Sequence, residues 1–257
     1  MGNSVPAADA ASPRVELRLG DLTCLCRSRL EPALRGAYAA APWAYEAVRR
    51  APGAELLRGR RPVVAGRLAD GTPVVIKRLH HGGALAAVTG DRFLSARRLL
   101  AGVAAADFLA ANGVATPDVL FAAWRRSGPF VVGELGFARV AGGSDASDLL
   151  FAGGGGLPAG WRATVGAIGR LVARLHSLGV RHGDLNLMNF YVSEAGEVMI
   201  LDLDKAELRG GPLVQGDRRR NLARLERSVR KQGAAAPAAD VAAVLGELHA
   251  SYGAARA

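Results

Sequence analysis

The stretch RHGDLNLMNFYVSEAGEVMILDLD, residues 181–204, gathers His182, Asp184, Asn186, Asn189, Asp202 and Asp204 in a chain where 33 Lys and Arg outnumber 23 Asp and Glu. Asp184 and Asn189 stand five residues apart in loop-like sequence, and Asp202 closes the apolar run VMILD. Side-chain oxygens converging from a loop and a strand end make a hard-ligand set that suits Mg²⁺ better than zinc. Bound Mg²⁺ commonly accompanies phosphate, so a phosphoryl-transfer site is expected, with Asn189 and Asp202 as metal ligands. Such a site also needs a cation over the phosphates. Upstream, VVIKRL offers Lys77 inside an apolar strand candidate, an odd place for a merely solvated lysine.

A strand lysine, then H-x-D-L-x-x-x-N, then a metal-binding Asp is the order of the protein-kinase signature. Lys77, His182-Gly183-Asp184-Leu185, Asn189 and Asp202 resemble it in that order. His182 is expected to bond backbone around the loop rather than to transfer protons. Two departures set the chain apart from ordinary protein kinases: the metal Asp lies in Asp202-Leu203-Asp204 rather than D-F-G, and no A-P-E follows. Gly183 replaces the usual arginine, as in small-molecule kinases such as the aminoglycoside and choline kinases, so the acceptor is expected not to be a protein. The nucleotide-covering loop is expected in RGRRPVVAG, residues 58–66, from Gly59 and Gly66 with help from Arg60 or Arg61. The carboxylate that pairs with Lys77 is sought at Asp91 or Asp107, with Asp107, in mid-helix, the choice.

These residues need elements to hold them. VELRLGDLTCLCR alternates as a strand pair. Residues 30–50, interrupted by Pro32 and Pro42, read as broken helix or loop. Residues 55–79 read as two strands around Asp70-Gly71, and 91–112 as a helix stopped by Asn112-Gly113. GVATPDVLFAAW and GPFVVGELG supply two more strands, and the glycine-rich 141–160 is a loop around at most one short helix. Val165, Ile168, Leu171, Val172, Leu175 and Leu178 then form a helical stripe capped by Gly179. VRHGDLNLMNF reads as loop, FYVSEAGEVMILDLD as two short strands joined near Ala195-Gly196, and 217–231 and 238–250 as helices. This order predicts an α+β, bilobal, protein-kinase-like fold. A flexible tail over 1–14 precedes a strand-rich lobe over 15–135 and a helical lobe over 136–257, with the active site in the cleft.

Bulk properties narrow the classes. Half the residues are hydrophobic and 22% are charged, as in globular proteins. No apolar run reaches the roughly 18–20 residues of a membrane span. The opening MGNSVPAADAASPR lacks the pattern of a secretory signal, and Pro6 stands where a myristoylation motif needs Ser or Thr. Cys24 and Cys26 share one strand face, poor geometry for a mutual disulfide, so buried thiols in a reducing compartment are expected. The net charge of +10 favours anionic partners, although arginine richness can also follow from genome composition. With 5% aromatic residues and no finger or RNA-binding motif, no nucleic-acid partner is expected.

The run ILDLDKAELRGGPLVQGDRRRNLARLERSVRK, with HGDLNLMNFYV before it, resembles the lipopolysaccharide core kinases, in particular the 3-deoxy-D-manno-octulosonic acid (Kdo) kinases. Their chains continue past the metal Asp with D-K/R-x-E-L/I-R and an N-L-x-R-L-x-R-S-L-R-K helix. The resemblance is tight over 180–231 and looser over 55–231. It implies transfer of phosphate from Mg·ATP to the 4-hydroxyl of Kdo on lipid A, on the cytoplasmic face of the inner membrane, by a peripheral protein. It makes Asp184 the base that orients and deprotonates the sugar hydroxyl, Asn189 and Asp202 the Mg²⁺ ligands, and Lys77 the phosphate-binding cation. The segment around Glu134 and Leu135 becomes the hinge that receives adenine through backbone groups. Asp204, Arg219 and Arg220 become substrate contacts, the arginines belonging to a helix crowded with Arg218, Arg224, Arg227, Arg230 and Lys231 around a stripe of Leu222, Leu225 and Val229. That helix could face a glycolipid's anionic groups or the membrane surface, or be a solvated face with its stripe packed inward. A heptose kinase, an antibiotic kinase of the same superfamily and a catalytically dead kinase fold that binds lipid or protein remain alternatives.

Overall fold

The computed structural model describes residues 12–57, 63–79, 94–153 and 156–256. Gly59, Arg60, Arg61 and Asp91, expected around the nucleotide, lie outside the described residues, as does 1–11 of the expected tail. The remainder is a mixed α+β structure in two compact units. One takes in the chain through Val103 together with Pro117–Val140, and the other takes in Ala104–Thr116 and everything from Ala141.

The first unit is built on a seven-stranded antiparallel sheet with strand order β1-β2-β6-β7-β5-β4-β3. Its alternating sequences are β1 (Arg14–Leu19), β2 (Leu22–Arg27), β3 (Glu55–Leu57), β4 (Val63–Arg67) and β5 (Pro73–Arg78), followed by β6 (Val119–Ser127) and β7 (Phe130–Ala138). β1 begins at Arg14, inside the expected tail, and residues 55–67 yield two strands where one was expected. In β5, Val74 and Ile76 are fully buried and belong to the unit's main core, while the alternation of the strand sends Lys77 to the opposite face. Cys24 and Cys26 are buried free thiols on the core face.

Residues 30–50 are not broken by their prolines. They form α1 (Glu31–Ala40) and α2 (Ala44–Arg50). Pro32 stands in the first turn of α1, where a missing N–H loses no helical bond, and Pro42 lies in the link between the helices. Leu34, Ala44 and Val48 pack into the core beneath the sheet.

A fully buried carboxylate on β7 ties both helices to the sheet, and it corrects the expectation of a hinge at Glu134. β7 continues to Ala138, with Glu134 opposite Ala123 of β6 and Arg78 of β5, so this backbone is interior sheet rather than an adenine-binding edge. The expected division at 135/136 therefore falls inside a strand. The Glu134 side chain is fully buried and accepts hydrogen bonds from Tyr38 Oη (2.9 Å), Ala44 N–H (2.8 Å) and Tyr45 N–H (3.1 Å). The two amides are otherwise unpaired donors at the start of α2. Burial pushes the Glu134 carboxyl up to about 7, outweighing its three donors.

The second unit contains α4 (Ala146–Phe151), α5 (Trp161–Ser177), α6 (Gln215–Gln232) and α7 (Ala238–Ala254), with β8 (Ser144–Asp145), β9 (Val180–Arg181), β10 (Phe190–Val192), β11 (Val198–Ile200) and β12 (Glu207–Leu208). The helix α3 (Arg97–Ala111) contributes to both units and stops before Asn112-Gly113 as expected. α5 buries Val165, Ile168, Val172 and Leu175, while Leu171 and Leu178 are only partly covered. Gly169 lets α7 approach closely: a Cβ there would lie 2.0 Å from Ser251 Oγ. β10 pairs with β11 and β8, and β9 pairs with β12, which suspends 182–189 between two small sheets. Among the described residues, no helix is long and apolar enough to cross a membrane.

Replacing Glu134 by Ala strands three donors in the core and is expected to lower unfolding stability by about 3 kcal/mol at pH 7. Glu134→Gln keeps two of the acceptances and should lose about 1 kcal/mol. Denaturant titration measures both, and equal losses would contradict this capping role.

Candidate active site

The loop 182–189 is held from inside. His182 is fully buried, and its Nε2 donates to the Leu201 carbonyl at 2.9 Å. That fixes the tautomer, because Nδ1 must then accept the Asp184 N–H, 3.2 Å away. His182 thus bonds backbone on both sides, as its sequence context suggested. Burial pushes its pKa below the ordinary histidine value despite the opposing pull of the Leu201 carbonyl and the Asp202, Asp184 and Asp204 carboxylates, so the ring is neutral.

Leu201 also donates its own N–H to the Asn189 carbonyl at 2.8 Å. One residue of the chain therefore anchors His182 through its C=O and Asn189 through its N–H, and it precedes Asp202. This brings the two expected metal ligands, Asn189 and Asp202, to adjoining positions. The Asp184 carbonyl accepts from Asn189 Nδ2 (2.7 Å) and Asn186 Nδ2 (2.9 Å), which leaves the Asn189 oxygen available as a ligand. Asn186 Oδ1 is buried without a hydrogen-bond partner among the described residues.

Asp202 has φ 57 and ψ 59, the one left-handed non-glycine residue among those described. This conformation costs on the order of 1 kcal/mol and persists where the surroundings over-determine it, as they often do at functional sites. Asp204 follows in the 3-10 turn Leu203–Lys205, partly buried. Gly183 earns its place sterically: a Cβ there would come 2.4 Å from the Lys205 carbonyl oxygen. The glycine lets the loop lie directly on the segment that carries Asp202 and Asp204.

The other support is one face of α6. Asn221, nearly fully buried, uses its whole amide on the His182 peptide: Oδ1 accepts the His182 N–H (3.2 Å) and Nδ2 donates to the His182 carbonyl (2.8 Å). Three residues on, Arg224 Nη1 lies 3.1 Å from Asp184 Oδ1. One turn further, Ser228 Oγ accepts the Leu187 N–H at 3.1 Å. The spacing i, i+3, i+7 keeps all three on one helical face. The buried face of α6 is therefore Asp217, Asn221, Leu225 and Val229, with Leu222 only half-buried, rather than the expected Leu222-Leu225-Val229 stripe. Asn221 was not legible as a site residue from polarity alone, although it opens the NLARLERSVRK run.

Behind Asn221 the network continues to His176, whose Nε2 donates to Asn221 Oδ1 (3.4 Å) and whose Nδ1 accepts from Tyr252 Oη (2.9 Å). Burial pushes His176 down to about 4.

The remaining expected residues stand on the following elements. Lys77 is half-buried on β5 in the first unit, paired across the sheet with Leu135. Asp107 sits on α3, half-buried. Gly66 is interior to β4, where a Cβ would lie 2.6 Å from Val48 Cγ1, so its smallness serves packing of α2 rather than a phosphate-covering loop. Arg219 is exposed, and Arg220 pairs with Asp217 at 2.7 Å.

The donor set fits Mg²⁺ better than a metal the protein must enclose. Among the described residues, no cluster of three His, Cys, Asp or Glu side chains is placed to hold an ion. An ion held by Asn189 and Asp202 would complete its shell with water and phosphate oxygens, as Mg²⁺ commonly does.

Two depressed histidines make the second unit sensitive to acid. Below about pH 6.5 the unfolded chain takes up a proton on His176 that the folded chain refuses until about pH 4, so the contribution of His176 is complete above 6.5 and is lost as pH falls toward 4. Relative to a His176→Gln variant, the protein should lose on the order of 3 kcal/mol between those limits. The difference isolates His176 from Glu134, whose raised pKa gives the opposite slope. Denaturant titrations at several pH values provide the check, and a pH-independent difference would contradict it.

Four matches to known proteins bear on this site. The lipopolysaccharide kinase (Kdo/WaaP) family model matches residues 54–247. The 3-deoxy-D-manno-octulosonic acid kinase of Xanthomonas euvesicatoria pv. vesicatoria (strain 85-10) is 31% identical over 182 residues, covering 69% of this chain and 70% of its own. The kinase of the same name from Xanthomonas campestris pv. campestris (strain B100) matches with the same identity and coverage. That of Xylella fastidiosa (strain 9a5c) is 44% identical over 64 residues, 25% of each chain.

Proposed function

Because the chain belongs to the lipopolysaccharide kinase (Kdo/WaaP) family, we propose that it transfers the γ-phosphoryl group of ATP to a hydroxyl of Kdo in the lipopolysaccharide inner core. The hydroxyl proposed is the 4-OH of Kdo attached to lipid A. The observation that carries this reading is the convergence of Asn221, Arg224 and Ser228 on the loop that presents Asp184. Those three positions belong to the helix by which the sequence resembles Kdo kinases. The unmet acceptor on Asn186 and the strained backbone of Asp202 further mark the loop as built for a ligand.

In this reading the sugar hydroxyl lies against the Asp184 carboxylate, which aligns it and receives its proton as the oxygen bonds to the γ-phosphorus and the bond to the ADP oxygen breaks. A loose phosphoryl-transfer transition state gains more from alignment and charge neutralisation than from covalent help, so rigid anchoring of the loop is the protein's main contribution. Asn189 and Asp202 would hold Mg²⁺, which when bound neutralises charge on the phosphates. Lys77 would serve the nucleotide phosphates within a protein-kinase-like bilobal arrangement. The arginines of α6 suit the anionic groups of a glycolipid and an anionic membrane surface, which supports peripheral attachment at the cytoplasmic face of the inner membrane.

The test is transfer of labelled γ-phosphate from Mg·ATP to a Kdo-lipid A acceptor, with a heptosylated core acceptor alongside. Labelling of the Kdo lipid is expected, falling by roughly 10²–10⁴-fold in Asp184→Ala. Asp202→Asn should lose transfer comparably while its unfolding free energy stays within about 1 kcal/mol of the unaltered chain. Labelling of the heptosylated core alone would move the acceptor to heptose, and unaltered turnover in Asp184→Ala would sink the mechanism.

A further inference from the structure

Asp184 is not alone at the point where the acceptor hydroxyl must arrive. Arg224 Nη1 sits 3.1 Å from its Oδ1, with both side chains solvent-accessible, 47% and 31% exposed. The contact uses one prong of the guanidinium. Its other donors meet no protein partner among the described residues. Guanidinium donors form a planar fork that matches a carboxylate in two parallel hydrogen bonds, so Arg224 retains capacity for a second, better-matched anion. The position is rigidly set, because Asn221 and Ser228 pin the same face of α6 to His182 and Leu187 on either side of Asp184.

We propose that Arg224 is the receptor for the acceptor's own carboxylate, and so the residue that selects an acid sugar over a neutral one. This rests on the Kdo reading above. An octulosonic acid carries its C1 carboxylate on C2, two ring positions from the 4-hydroxyl. A hydroxyl placed on Asp184 therefore carries the carboxylate to that residue's immediate surroundings, where Arg224 is the cation already in place. The incoming carboxylate takes the guanidinium fork, and Asp184 Oδ1 is given over to the hydroxyl. The exchange replaces one ion pair by another and leaves the Asp184 carboxylate, relieved of its cation, hydrogen-bonded to the hydroxyl whose proton it takes. A neutral sugar offers nothing to draw Arg224 away, so the arginine stays on Asp184 and competes with the hydroxyl for it. Recognition of the acid and release of the base are then one event.

The experiment compares two acceptors, the Kdo lipid and its C1-carboxamide, in the unaltered protein and in Arg224→Gln, with Arg224→Lys as a second variant. The unaltered protein is expected to prefer the acid by about 10- to 100-fold in kcat/KM, the range of a charge-assisted hydrogen-bonded contact. In Arg224→Gln that preference should shrink to within about threefold, while the KM for ATP stays put. Arg224→Lys, which keeps the charge and loses the fork, should recover only part of it. Equal losses toward both acceptors in Arg224→Gln would overturn the inference, since the arginine would then act only by positioning Asp184. So would an unaltered protein that treats acid and amide alike. Failure of the unaltered protein to phosphorylate the acid lipid at all would instead overturn the function proposed above.

Discussion

The buried amide of Asn221, closed on both polar atoms of the His182 peptide, is the interaction on which the rest of the site depends. Away from water, a peptide N–H and C=O need partners, and a loop has no neighbouring strand to supply them. Asn221 supplies both from a side chain. Once the His182 peptide is fixed, its imidazole fixes the Leu201 carbonyl and the Asp184 amide, and Leu201 in turn holds Asn189. Asp184, Asn189 and Asp202 are thus set by one connected network rather than three separate contacts. A network of this kind is stable when every member is satisfied and costly when one is removed, which explains why His176 and Tyr252 continue it into the helical core.

Electrostatics is put to opposite uses at two sites. In the first unit, Glu134 is buried against two helix-start amides and a tyrosine hydroxyl, and its work is structural. In the second, Asp184 stays accessible, with a half-exposed arginine as its neighbour. Burial holds the one carboxylate in a single arrangement, whereas access to solvent leaves the other able to exchange partners. The excess positive charge of the chain has a local expression in α6, where most arginines face outward and Arg224 turns to the loop 182–189.

Much of this was legible in the sequence because it is local. Alternation marked β1, β2, β6 and β7, and periodicity marked α5, α6 and α7. The spacing of His182, Asp184, Asn189 and Asp202 marked the loop as the candidate site, and the run after Asp204 marked the family. What failed depended on long-range contact. Glu134 looked like the end of a strand because only its partners Tyr38, Ala44 and Tyr45, some 90 residues away, show that the carboxylate caps α2. Gly66 looked like a phosphate-loop glycine, but it is small because Val48 packs on it. Pro32 looked like a breaker until the start of α1 was located one residue before it. Asn221 was hidden among arginines, since polarity on a basic helix says nothing about which polar residue points inward.

The most direct test of the account is residue-resolved amide hydrogen exchange in the unaltered protein and in Asn221→Ala. Removing the clamp should raise exchange at His182, Asp184 and Leu187 together by at least about tenfold, with the amides of α5 and of the first unit's sheet retaining their protection. Unchanged protection across the loop would contradict the central role given to Asn221. A uniform loss across α5 and α7 would contradict it equally, by making Asn221 a residue of general stability rather than the anchor of the loop 182–189.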